Sequence, residues 1–405
     1  MKSSGILESQ SYLSPQEKLV PLKSKNSSLC IGIPKEKSFQ ENRISLTPES
    51  VAILVNNGHR VLIETKSGDP ANFFDVDFSE AGAEIIYSSE EVYSKSDVIL
   101  KVAPLSLDEM DWLKPNQIVI SAIHLPAMKN EWLEKMITKR ASALAFEYIK
   151  DSSNTFPIVR SMSEIAGNAA ILIASELLSD NKTGKGILLG GITGVPPAKV
   201  VVLGAGVVGE FASRTALGLG AEVKVFDNST YKLMRLQNNI GTRVYTSIIY
   251  PDILKRELQT ADIAIGSMHS EAGQSAMVVS DAMVQTMKAG SVIVDVSIDQ
   301  GGCFETSEVT NHINPTFKKY DVVHYCVPNI ASRFARTASY AISNILTRKL
   351  LRAGDVGGFE KLLWGNDGTR HGVYLYKGSV TNRHLSEKFG LKYTDLGLLF
   401  SASNG

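Results

Sequence analysis

At 405 residues the chain is longer than a single hydrophobic core ordinarily supports, and it predicts two domains, or three at most. Its 42 basic and 42 acidic residues cancel, which excludes the one-signed charge footprint of a nucleic-acid or membrane-surface binder. Cys30, Cys303 and Cys326 form no C-x-x-C pair, so neither a disulfide framework nor a zinc knuckle is indicated and a reducing cytoplasm is the expected setting.

Residues 1–29 carry charges throughout, lack the apolar run of a secretion signal, and are expected to form a polar arm. No window approaches the roughly 20 apolar residues of a membrane span. SLCIGIPKE (28–36) reads as a short buried strand. LTPESVAILVNNGHRVLIET (46–65) reads as a helix capped by Thr47 with Pro48 at its first position, a turn at Asn57-Gly58, and a second strand. SDVILKVAP (96–104), NQIVISAIHLP (116–126) and SALAFEYI (142–149) supply further strands. SMSEIAGNAAILIASELL (161–178) has helical spacing and little charge, and is expected to be a buried helix joining two halves.

A second run follows the glycine-rich loop 183–198. KVVVLGAGVVGEFASRTALGLGAEVKVFDNS (199–229) predicts strand, turn, helix, strand, and RVYTSI, ADIAIGSM, GSVIVDVSI and DVVHYC predict four more short strands. RTASYAISNILTRKLL returns to helix before a less regular tail. The expected fold is α/β, with two Rossmann-like doubly wound domains. A nucleotide-binding domain (159–328) is inserted in a discontinuous domain made of 30–158 and 329–405.

The turn VLGAGVVGEF carries Gly204-x-Gly206-x-x-Gly209 between a continuous apolar strand and a helix. Gly204 permits the tight turn and Gly206 lets the backbone approach a pyrophosphate. Gly209 lets helix and strand pack, and Val207 and Val208 open the helix whose free N–H groups face the phosphates. Asp227 ends the next strand and suits the ribose hydroxyls, which favours NAD over NADP. A glycine turn that binds nothing is the bland alternative.

Arg43, Lys101 and His124 stand at or just after strand ends of the first half, and Asp299 is expected at the carboxyl end of the strand GSVIVDVSID. A guanidinium suits bidentate carboxylate binding, a lysine can bind a carboxylate or polarise a carbonyl, and a histidine titrates near neutral pH. Together they suit oxidation at a carbon that bears an amino or hydroxyl group beside a carboxylate. The alternatives are ion pairs for Arg43 and Lys101, a hydrogen-bonded core histidine, and a turn cap for Asp299. Asp295, inside the same strand, reads as a satisfied structural group. Cys303 as a nucleophile is rejected, because Asp299 and Glu305 nearby would raise its pKa.

GIPKE…ENRISLTP, GHRVLIE, ILKV, SEIAGNAA, GGITGVPPAKVVVLGAGVVG, VDVSIDQGGCFETSEVT, YCVPNI and RTAS, in that order, resemble the alanine dehydrogenase and pyridine nucleotide transhydrogenase (domain I) family over roughly residues 30–350. The resemblance implies NAD-dependent, reversible oxidative deamination of L-alanine to pyruvate and ammonia by a soluble homo-hexamer. It implies that Arg43 and Lys101 bind substrate and that His124 and Asp299 are catalytic. It also implies that Ser163, Gly204, Gly206, Val207, Val208, Gly209, Asp227, Lys232, Ser267, Asp299 and Asn329 contact the cofactor. Lys101 and His124 together favour a dehydrogenase over a transhydrogenase module. The loop VPNIASRFARTAS departs from the dehydrogenase pattern by Arg333 and Phe334, which opens dehydrogenation of a related amino acid as an alternative. A non-catalytic NAD(H)-binding module is the other.

Overall fold

The computed structural model describes residues 27–123, 128–268, 277–365 and 368–402. Strands β1 (Cys30–Ile33), β2 (Arg60–Glu64), β3 (Glu84–Ile86), β4 (Val98–Leu100), β5 (Ile118–Ser121) and β6 (Ser142–Ala145) pair in parallel in the order β3-β2-β1-β4-β5-β6. Strands β7 (Lys199–Leu203), β8 (Glu222–Phe226), β9 (Tyr245–Ser247), β10 (Ile263–Gly266) and β11 (Val292–Asp295) follow. They are joined by β12 (Thr316–Lys319) and β13 (Val322–Tyr325), and the second sheet runs β12-β13-β11-β10-β7-β8-β9. The six parallel strands of the first sheet, and the second sheet without the antiparallel edge strand β12, each have the doubly wound order 3-2-1-4-5-6. The reversal falls between β1 and β4 in one sheet and between β7 and β10 in the other. Ligand crevices of such sheets open there, beyond the carboxyl ends of the strands.

The sequence accounts for these strands locally. CIGI, VVVL and VIVD are buried throughout, as parallel strands covered on both faces require. The helix Pro48–Asn56 begins at Pro48 after Thr47, but the Thr47 hydroxyl makes no capping bond. Three expectations need correction. β3 and β12 are short strands that the pattern did not single out. The tail is not irregular: β14 (Val373–Tyr376) pairs antiparallel with β6, and β15 (Ser379–Val380) pairs with β14. The strand around residue 292 stops at Asp295, and Val296–Gln300 is a 3₁₀ turn.

Two long helices run between the sheets. Pro157–Ser179 starts with Ile158 in the first core and, from Ala166 onward, packs Ala169, Ala170 and Ala174 into the second. Gly167 allows this helix to lie against the helix Val207–Gly218, since a Cβ there would overlap the Val208 carbonyl. Ala335–Val356 returns to the first core through Ile342, Leu346 and Leu350. No helix among the described residues is long and apolar enough to cross a membrane.

Candidate functional site

The glycine turn shows three different steric situations. Gly204 sits at φ 107°, and a Cβ there would press on the Ser267 backbone. A Cβ on Gly209 would overlap the Gly204 carbonyl oxygen. A Cβ on Gly206 would meet nothing within 4 Å. The chain's own packing therefore explains Gly204 and Gly209 but leaves open space at Gly206, at the head of the helix Val207–Gly218. That space and the free N–H groups of Val207 and Val208 fit a dinucleotide pyrophosphate.

Asp227 follows β8 and is buried. Its Oδ2 accepts from the Ala205 amide at 2.7 Å and its Oδ1 from the Ser229 amide at 2.8 Å, which fixes it against the turn. Ser267 Oγ donates to the Leu203 carbonyl at 2.7 Å and so ties the end of β10 to the end of β7. Lys232 is exposed in the first turn of the helix Thr230–Ile240. One turn further on, Arg235 reaches the Ala205 carbonyl at 3.4 Å, a contact with the glycine turn that sequence spacing alone did not single out.

Arg43 is buried, in the loop between β1 and the helix Pro48–Asn56. Its Nε donates to Glu41 Oε1 at 2.7 Å and its Nη2 to Glu41 Oε2. Burial opposes the Glu41 charge, but these bonds outweigh it and hold the carboxyl below its ordinary value. Asn329, at φ 56° after β13, donates to the same Glu41 Oε2 at 3.1 Å. Arg43 Nη1 points at Met162 Sδ, 3.4 Å away on the helix Pro157–Ser179, one residue before half-buried Ser163. Loop, helix and turn thus meet around one guanidinium. Three serines hold the loop in place. Ser332, Ser339 and Ser343 accept the Asn42, Ile44 and Thr47 amides at 2.9, 2.9 and 3.0 Å. Arg333 pairs with Glu176 at 2.8 Å, and Phe334 packs against the second core.

Lys101 follows β4 with a fully buried side chain. Its Nζ lies 2.7 Å from Glu109 and 3.3 Å from Glu36. Burial pulls the ammonium pKa down, yet the two carboxylates outweigh it and the lysine stays charged. Glu36 gives way instead: burial pushes its carboxyl up to about 7, against the pull of Lys101 and the Val102 amide. Glu109 also closes a capping box with Ser106 and lines a cavity of about 300 Å³ with Lys37, Leu105, Ile123, Met128 and Trp132. Glu36, Glu41 and Glu109 were not anticipated as partners of the two cations. Their only sequence signal is three acids near the predicted basic residues.

Asp299 is exposed on the 3₁₀ turn after β11, beyond the carboxyl edge of the second sheet rather than at a strand end. Buried Asp295 anchors that turn, accepting from the Ser297 and Cys303 amides and from Ser307 Oγ at 3.1, 2.8 and 2.7 Å. Burial, followed by Asp295, pushes the Cys303 thiol up to about 12; the expected causes, Asp299 and Glu305, are not the main ones. His124 lies outside the described residues.

Comparison with known proteins shows the family and the fold. Models of the N-terminal and C-terminal domains of the alanine dehydrogenase/PNT family match residues 32–166 and 170–383. Alanine dehydrogenase 2 of Staphylococcus aureus (strain USA300) is 35% identical over 364 residues, which are 90% of this chain and 97% of that protein. A solved L-alanine dehydrogenase superposes with a TM-score of 0.83 at 34% identity, covering 89% of this chain and 99% of its own. A transhydrogenase from Sinorhizobium meliloti, 24% identical, shares the fold with a TM-score of 0.73 over 87% of this chain and 99% of its own. Such relatives imply a pyridine nucleotide cofactor, which the space at Gly206 fits. With two family models spanning both sheets and a relative above 30% identity along nearly its whole length, the chain belongs to the alanine dehydrogenase/PNT family.

Proposed function

We propose that the protein catalyses the reversible, NAD-dependent oxidative deamination of L-alanine to pyruvate and ammonia. The observation that carries this reading is the meeting of Arg43, Glu41 and Asn329, which brings a guanidinium from the first sheet's loop to the turn after β13. Arg43 Nη1 has only a thioether as its described acceptor, which is a weak one, so a substrate carboxylate oxygen would displace it. Relatives named alanine dehydrogenase at 34% and 35% identity support alanine as the substrate.

In this mechanism a bound nicotinamide supplies the hydride acceptor. Arg43 holds the α-carboxylate. Lys101 shares it or polarises the 2-oxo oxygen of pyruvate. His124 takes the amine proton or activates water, and Asp299 orients that water or shares the proton. Asp227 accepts the ribose hydroxyls and disfavours a 2′-phosphate, so NAD is preferred. Ser163, Ser267, Lys232 and Asn329 complete the cofactor contacts.

An amino-acid panel at saturating NAD, read by NADH absorbance, tests the reading. Alanine is expected to give the highest rate. A higher rate with another amino acid would reassign the substrate, and tight NADH binding without turnover on any of them would favour a non-catalytic module. Changing Arg43→Met together with Glu41→Gln leaves no buried carboxylate alone. The pair is expected to keep the fold and NADH binding while kcat/KM for alanine falls by about 100-fold or more. Unchanged turnover in that variant would remove Arg43 from the substrate site.

A further inference from the structure

The ammonium of Lys101 is sealed. Its side chain has no exposed surface, and two carboxylates already occupy it, Glu109 at 2.7 Å and Glu36 at 3.3 Å. Each acid has its other oxygen committed: Glu36 Oε1 accepts from the Val102 amide at 2.6 Å, and Glu109 Oε2 from the Ser106 amide at 2.7 Å. A substrate carboxylate arriving at Lys101 would be the third anion on one buried cation. Charge of that kind is not accommodated in a low-dielectric site unless one anion is neutralised. The looser partner is Glu36, whose Oε2 has no hydrogen bond among the described residues.

Resting on the reading of Lys101 as a substrate ligand, we propose that Glu36 is a proton-operated positioning residue. It shares Lys101 with Glu109 while ionised, and it takes a proton from solvent when the carboxylate of a 2-oxo acid comes onto the lysine. No bond of the substrate changes in this step: the proton passes from water or buffer to Glu36 Oε2, and the site keeps its net charge. Burial is what chiefly favours the neutral form of Glu36. Lys101 and the Val102 amide favour its charge, while Glu41 from its own loop and Glu109 from the helix Leu107–Asp111 add smaller repulsions. The phenol of Tyr93, from the helix Ser89–Lys95, stays protonated beside it, held well above its ordinary range by burial, Glu109 and Glu36.

The test uses the full chain saturated with NADH and mixed with pyruvate without ammonia, so that binding occurs without turnover. A pH-indicator dye in weak buffer reads proton uptake, and NADH fluorescence reads affinity. For the wild type, close to one proton taken up per site is expected near about pH 8, with the pyruvate Kd rising about tenfold per pH unit above about pH 7.5. Glu36→Gln is expected to bind pyruvate with no uptake and a flat Kd over the same range. Glu109→Gln also leaves a single acid on Lys101, so it is expected to do the same, and it serves if the first variant does not fold. Uptake and slope persisting in both variants but lost in His124→Ala would overturn the proposal and assign the proton to the histidine. A wild type that turns over alanine yet takes up no proton overturns this proposal alone. Failure to bind pyruvate or to oxidise alanine overturns the functional reading with it.

Discussion

Gly206 and Gly209 are three residues apart in one motif, yet they meet different constraints. Gly209 is required by the fold, because its Cβ would overlap the Gly204 carbonyl and open the turn. Gly206 faces open space, so only a bound ligand would need it small. Gly206→Ala is expected to leave the melting temperature nearly unchanged while weakening NADH binding by about tenfold or more. Gly209→Ala is expected to cost about 1–3 kcal/mol in denaturant unfolding. If Gly206→Ala lowered stability without touching NADH affinity, the cradle would have another purpose. Arg43 and Lys101 pose the complementary case. Both are buried cations held by internal acids, Arg43 by Glu41 and Lys101 by Glu36 and Glu109, but Arg43 keeps Nη1 on a thioether whereas Lys101 is held by carboxylates alone.

Among the elements, the helix Ala335–Val356 controls the loop that carries Arg43. Ser339 and Ser343 lie one turn apart on one face, and their buried hydroxyls accept the Ile44 and Thr47 amides. Replacing either with alanine leaves a buried N–H without its partner. Each change is expected to cost about 1–3 kcal/mol by denaturant titration and to raise the KM for alanine more than it lowers kcat. A kcat loss alone, with KM intact, would detach the loop's position from substrate binding. The same helix follows Arg333, whose pairing with Glu176 ties the departing loop to the helix Pro157–Ser179.

At the scale of the whole molecule, the first sheet is completed by chain that is distant in sequence. β14 covers the edge of β6, and Phe359, Leu362, Leu363 and Tyr376 fill the first core. Ending the chain after Val356 would expose the β6 edge and remove those side chains. Such a truncation is expected to lose soluble, cooperatively folding protein, as read by soluble yield and size-exclusion chromatography. A soluble truncated chain with the full-length melting temperature would show that β14 and β15 are dispensable.

The parts legible in the sequence are those set by local geometry. The glycine turn with Asp227 after the next strand, the buried parallel strands and the two long helices follow from spacing, burial period and steric demand within about 30 residues. The outer strands β3, β12, β14 and β15 were not legible, because two to four residues carry too little periodicity and their pairing is chosen by a neighbouring strand. Nor were the acids around Arg43 and Lys101. Glu109 is eight residues from Lys101 and Glu36 is 65 residues before it, and they meet only because β1 and β4 adjoin at the switch point of the first sheet. The chain's order thus placed Lys101 just after a strand and Arg43 in the loop that follows β1. Only the folded sheet decided that each would be buried and already paired with internal acids, since burial and pairing are properties of neighbours that the linear order does not contain.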